Sequence, residues 1–267
     1  MPALAASAGW RATLVAGAVV AFLGALTFTT FCRCPPLPLT GTPTEAETST
    51  GAQADGRLRL LREPAMVRIL VSGTSLVAVH SGIGVLTVLH LHETASLAPG
   101  TAALVFVAVQ AAGAAGRICL AAWSDRGRSG ASDLHRRPGR YAWVLACLVA
   151  VVVGLVALAT PAGRSPVAAS LLFVWLGFFG IGWYGPWVAH LAESAPPGRT
   201  GFALGSAMAV NQVAIILTPP ALGLLKDVFH GFAPAWGLLA ALSATALALT
   251  VRTPGTRPAR RHFRDMS

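Results

Sequence analysis

Apolar residues in this chain gather in long blocks and do not alternate with polar ones. Seven blocks lie at residues 11–31, 67–90, 100–123, 141–160, 167–190, 202–224 and 232–251. A helix rises 1.5 Å per residue, so about 20 apolar residues carry it across about 30 Å of hydrocarbon, and each block reaches that length. Backbone amides find no water in hydrocarbon, and the helix is the one form that satisfies them all within its own segment. A membrane barrel would alternate apolar and polar positions over segments of about ten residues, a pattern this chain lacks. The blocks predict an all-α membrane protein with seven transmembrane helices.

Their spacing is uneven. A single helix within residues 1–31 is followed by a long interval, 32–66, then by six helices over 67–251 and a basic tail, 252–267. Residues 35–56 are rich in Pro, Thr and Gly and nearly free of large apolar side chains, so they read as a cytosolic linker. Residues 57–68 set leucines among arginines, as a short amphipathic helix on a membrane surface does. Pro64 then suits the first turn of the next helix, where no backbone donor is needed. A single helix before six is accounted for if the six form one half of a transporter, because many transporters join two six-helix bundles by a long cytoplasmic connection.

Composition agrees with the pattern. Of 267 residues, 54% are apolar and 11% charged, against roughly 25% charged in a soluble domain. The net charge of +10 does not point to nucleic acid, because the arginines lie between apolar blocks and form no face of a soluble domain. Seventeen of the twenty basic residues fall in alternate gaps and in the tail, whereas Arg11, Arg164 and Lys226 fall on the other side. Basic residues collect in the cytoplasm, which puts the amino terminus outside and the carboxyl terminus inside a cell's inner (plasma) membrane. Abundant alanine and arginine fit a GC-rich bacterial genome. The first block is too long for a secretory signal and is followed by more basic residues than precede it, so it is expected to be a retained helix.

Three further features exclude other chemistries. Cys119 and Cys147 sit inside apolar blocks as small hydrophobes, and Cys32 and Cys34 lack the second pair that a metal site requires. His90-Leu91-His92-Glu93 at an outer turn also lacks further ligands, so no metal is expected. No dinucleotide, Walker or nucleophile-elbow pattern occurs, which argues against an enzyme, an ATP-driven pump and a bound cofactor.

Gly116-Arg117 followed by Ala121-Ala122-Trp123-Ser124-Asp125-Arg126 resembles the GR…GxxSDR pattern at the eighth helix of major facilitator superfamily transporters. Ala121 stands where glycine is usual, and Gly127-Arg128 comes one residue early. Ala192-Glu193, Pro196, Arg199, Gly201 and Gly205 resemble the join between the tenth and eleventh helices, and Pro219-Pro220, Gly223 and Asp227 the end of the eleventh. The resemblance covers residues 60–251 and is nearest to the monocarboxylate and oxalate/formate porters. It implies that six of the seven helices form one major-facilitator-type bundle, that the first block corresponds to a sixth helix, and that five helices of the other bundle are missing. It also implies that Arg117 contacts an organic anion, that Arg126 pairs with Glu193 in a gate, and that Asp125 docks near a helix of the missing bundle. The competing reading of these three charges is topology alone, since exposed pairs contribute about a kcal/mol or less.

Polar residues at mid-membrane are costly and so carry weight as site candidates. His80, Gln110, Asn211 and Gln212 fall near the middles of their helices, and Arg117, Trp183 and Tyr184 lie about 9 Å toward the cytoplasm. Arg117 suits a carboxylate through two parallel bonds, although a long side chain there could also snorkel to the interface. Trp183 and Tyr184 could wall a ligand or belong to an aromatic belt. Asn211 and Gln212 are adjacent, point about 100° apart and do not both face one cavity. His80 could carry a proton or simply pack. Gly177, Gly180, Gly182 and Gly185, and the GxxxG of Gly201 and Gly205, predict close helix packing, with Pro186 a candidate bend.

The function expected is secondary transport, symport or antiport by alternating access, of a small organic solute, an anion such as a carboxylate. The alternative is a truncated or split half with no transport of its own, a structural partner for a separate first bundle or for a second copy. In either case the partners are a small-molecule solute and the lipid bilayer, and not nucleic acid.

Overall fold

Among the described residues, six of the apolar blocks emerge as helices long and apolar enough to cross a membrane. The computed structural model describes residues 62–126, 139–196 and 198–251, with isolated positions between 15 and 27. The chain divides into two compact units, Met1–Asp55 and Gly56–Ser267. In the first, the described positions from Val15 to Thr27 are helical and exposed. The rest of that block, Cys32 and Cys34, the linker, most of the amphipathic segment, residues 127–138 and the basic tail lie outside the described residues.

The second unit contains α1 (Pro64–Glu93), α2 (Pro99–Arg126), α3 (Arg140–Leu158), a 3-10 turn (Pro161–Arg164), α4 (Pro166–Gly182), α5 (Tyr184–Ser194), α6 (Thr200–Phe229) and α7 (Ala233–Val251). No strand occurs among the described residues. Prolines open α1, α2, the 3-10 turn and α4, where their missing N–H is no loss. The Ser165 hydroxyl caps α4 by accepting from the Ala168 N–H. His230 ends α6 in the left-handed region at φ 51°, and its N–H reaches the Lys226 carbonyl.

α4 and α5 together make one span, Pro166–Ser194. It is interrupted at Trp183 because Pro186 has no N–H to offer the carbonyl of Gly182, four residues earlier. By contrast, α6 runs through Pro219 and Pro220 without a break.

α1 is the centre of the bundle, with 61% of its apolar window buried, against 22% for α2 and 11% for α6. Leu76, Val79, Ile83 and Leu86 of α1 join Val151 and Leu155 of α3, Phe173 and Leu176 of α4, and Trp236 and Leu239 of α7 in one core. Hydrophobicity gives no drive toward association in lipid, so close backbone approach matters instead. Gly113 and Gly116 of α2 face Ile181, Phe178 and Gly182 of α4, and Gly177 faces the Val109 carbonyl; a methyl group on Gly116 would meet the Phe178 carbonyl oxygen. Gly73 leaves room for the Trp187 indole, whose Nε1–H donates to the Ile69 carbonyl at 2.8 Å.

Gly201 and Gly205 behave differently from their expected packing role. Nothing lies within 4 Å of either added Cβ. A GxxxG spacing makes a helix face flat without choosing its neighbour, and α6 turns Ala203, Ala207, Asn211 and Leu222 inward instead.

Candidate functional site

The interruption of the fourth span is where three spans meet. α4 ends at Gly182, so the carbonyl of Ile181 is among the four that lack an intrahelical donor. The glycine seam brings α2 close enough for Arg117 to use it, and Nε donates to the Ile181 oxygen at 3.3 Å. The Arg117 guanidinium carbon also stands 5.9 Å from the centre of the Tyr184 ring, within the range of a cation–π contact. Tyr184 in turn donates its hydroxyl hydrogen to the Met208 sulfur of α6 at 3.1 Å.

The other expected residues divide into two groups around this contact. Arg117, Tyr184, Gln110 and Gln212 are exposed from the bundle. Gln110 is seven residues before Arg117 and Gln212 four after Met208, so each lies on the same helical face as its neighbour in the site. His80 is half-buried on α1.

Trp183 and Asn211 are inside. Trp183 is 0% and Asn211 4% exposed. Among the described residues, neither the Trp183 Nε1 nor the Asn211 side-chain nitrogen and oxygen has a hydrogen-bond partner. Met208 lies one turn before Asn211 and touches the neighbour of Trp183, so the orphaned groups share a layer of the bundle. Buried polar groups without partners are rare and call for a physical reason.

At the arginine-rich end, an arginine that the sequence left in a general charge count becomes the hub. Arg140, the first residue of α3, reaches Asp125 of α2 at 2.6 Å and Glu193 of α5 at 3.2 Å. Its side chain is 18% exposed, against 61% and 39% for the two carboxylates. The family pattern names Arg126 for Glu193; Arg140, which it does not name, stands 3.2 Å from the Glu193 carboxylate. No spacing rule ties residue 140 to 125 and 193. The convergence of three helix ends does so.

At the opposite end, the histidine-rich turn is committed to structure. The Trp236 Nε1–H donates to His90 Nδ1 at 3.2 Å, which leaves His90 Nε2 to carry the proton and donate to the Gly163 carbonyl at 3.2 Å. His92 donates to the Leu97 carbonyl at 2.9 Å, and Glu93 pairs with Lys226 at 3.2 Å. Among the described residues no group of three metal-ligating side chains comes together.

The family model described as Major Facilitator Superfamily matches residues 1–219. A search of curated proteins finds no match. The apolar spans establish a multi-pass membrane protein, the family is one of transporters, and the match covers 219 of 267 residues. By its helices and by that match, the chain belongs to the major facilitator superfamily.

Proposed function

We propose that the protein is a secondary carrier for a small organic anion, such as a carboxylate, working by alternating access as a symporter or antiporter. An ion gradient, protons foremost, drives it, and it lies in the plasma membrane with its carboxyl terminus in the cytoplasm. The observation that carries this reading is Arg117. Among the described residues its one hydrogen bond is through Nε, which leaves both terminal nitrogens for the two oxygens of a carboxylate. Tyr184 supplies an aromatic wall beside it, and Gln110 and Gln212 supply neutral hydrogen bonds on the same exposed side.

The orphaned groups of Trp183 and Asn211 fit a site that rearranges during the cycle, since a second conformation can give them partners. His80 would take up the coupling proton. The Arg140 hub, with Asp125, Glu193 and Arg126 at the same end, would act as the cytoplasmic gate. Each exposed pair there contributes about a kcal/mol or less, weak enough to break and re-form in a working cycle.

A second reading is favoured by one observation. Only 11% of the α6 window and 22% of the α2 window are buried, and Gly201 and Gly205 have open space beside them. Such faces suit a further bundle, from a separate chain or a second copy, without which the protein would transport nothing.

The test is uptake of a radiolabelled carboxylate series into liposomes under an imposed proton gradient. The carrier reading expects accumulation that falls at least tenfold on Arg117→Ala and recovers only in part with Arg117→Lys, which keeps the charge but not the fork. Uptake indifferent to Arg117→Ala removes that residue from the site. An inactive wild-type protein that gains uptake only when co-reconstituted with a partner bundle establishes the second reading.

A further inference from the structure

An apolar groove of about 490 Å³ lies between α1, α6 and α7, walled by Val71 and Ala78, Val210 and Ala214, and Leu242 and Ala246. None of its residues belongs to the candidate site. At 100° per residue, the groove's mid-line lies about 150° round α1 from His80, and about 140° round α6 from the Met208–Gln212 face. Both helices thus turn the groove to the back of the bundle, away from the side where Arg117 and Tyr184 are exposed.

We propose that this groove seats one acyl chain of an anionic phospholipid whose phosphate is held by Arg68. Length, wall chemistry and charge each support that occupant. From Val67 to Ala78 the groove runs about 16 Å along α1, close to the half-thickness, about 15 Å, of a hydrocarbon core. It therefore spans one leaflet, the one at the arginine-rich face.

Three of the four hydroxyl groups in the wall are turned back into the protein, and Thr74 is the fourth. Ser75 donates to Ser243 at 3.1 Å, Thr218 to the Ala214 carbonyl at 2.6 Å, and Thr245 to the Ala241 carbonyl at 2.7 Å. What remains is a slot lined mainly by methyl groups of Val, Leu and Ala, with the Thr74 hydroxyl beside them, suited to a hydrocarbon chain and poor in groups for a polar solute.

Arg68, half-buried and one residue after Val67, lies one turn before Val71 near the amino-terminal end of α1; it flanks the slot and does not line it. Its Nε donates to the Pro64 carbonyl at 3.0 Å, which fixes the stem, and the two terminal nitrogens have no ion pair among the described residues. Helical side chains lean toward the amino-terminal end, so the guanidinium is aimed at the membrane surface. Arg62 adds a second positive charge nearby, and Glu63 is the neighbouring acid. Basic clefts between helices at the cytoplasmic face are the usual seats of anionic headgroups.

The full chain, purified in detergent, would be titrated with dioleoyl-phosphatidylglycerol and separately with dioleoyl-phosphatidylcholine, and bound lipid counted by native mass spectrometry. The anionic lipid should fill one saturable site and bind several-fold tighter than the zwitterionic one. Arg68→Gln should weaken the anionic lipid about fivefold and leave the other unchanged, the ~1 kcal/mol that one arginine contributes near an anionic headgroup. Val210→Trp, at an exposed wall position, should abolish saturable binding of both, and melting curves without lipid would show that each variant is folded. Equal affinity of the wild type for the two lipids overturns the proposal, as does an anionic preference that survives Arg68→Gln. Saturable binding that survives Val210→Trp overturns it too. So does a disulfide between Val19→Cys and Val210→Cys in native membranes, which would show the slot filled by the chain's own first helix. The inference is independent of the solute carried and of whether the bundle transports alone.

Discussion

Replacing Gly116 by alanine adds one methyl group where α2 and α4 run closest. That carbon would meet the Phe178 carbonyl oxygen and come 3.2 Å from the Gly182 Cα, both of them backbone atoms that no rotamer change can move. The two helices must therefore separate. Alanine gains about 1 kcal/mol of helix propensity over glycine, which sets the favourable side of the balance. Against it stand overpacking, about 1–3 kcal/mol, and the Arg117 to Ile181 hydrogen bond, about 1 kcal/mol, which stretches as α2 moves off. The net expectation is a loss of about 1–3 kcal/mol. At roughly 2–4 °C per kcal/mol for a chain of this size, the melting temperature should drop by about 2–12 °C. Intrinsic tryptophan fluorescence of detergent-purified protein measures it, since Trp183 and Trp187 stand beside the seam. Gly205→Ala is the control: with nothing within 4 Å of the added carbon, it should leave the melting point unchanged or raise it slightly. If Gly116→Ala melts at or above the wild type, or below it by no more than Gly205→Ala, the close-packed seam is not what holds α2 to α4.

Three other substitutions test separate parts of the account. Asn211→Leu removes two orphaned polar atoms from the interior and should raise thermal stability by about 1 kcal/mol while transport falls; a lower melting point would mean that Asn211 has a partner after all. Trp187→Phe deletes the indole donor to the Ile69 carbonyl and should cost about 1–3 kcal/mol, read from the same melts, with an unchanged midpoint counting against that bond. Arg140→Gln should change stability by no more than about 1–2 kcal/mol, because both carboxylate partners are partly exposed, yet alter uptake rates several-fold if the hub gates the carrier. Unchanged rates would leave it a purely structural contact.

Much of this architecture could be read before any coordinates, because hydrocarbon imposes one requirement on every spanning segment and the chain records it as block length. Six expected blocks coincide with six observed spans among the described residues, and the start of the first of these was legible as Pro64, where a helix can spare a donor. The direction of divergence between Asn211 and Gln212 was legible too, since adjacent helical residues must point about 100° apart. The sequence could not say which of the two would be buried, because that depends on which face of α6 meets α1.

Partner choice is the other thing that spacing could not supply. Arg140, fifteen residues along the chain from Asp125, is observed on both Asp125 and Glu193, since three helix ends from distant parts of the chain arrive at one point. Gly116 and Gly205 look alike as letters. One touches a neighbouring backbone and the other faces open space. Hydropathy along a chain is a one-dimensional record of the solvent each segment meets, so it specifies helices and their order. Contacts between segments depend on how those helices rotate and pack against one another, and that rotation is settled only when all six compete for the same interior.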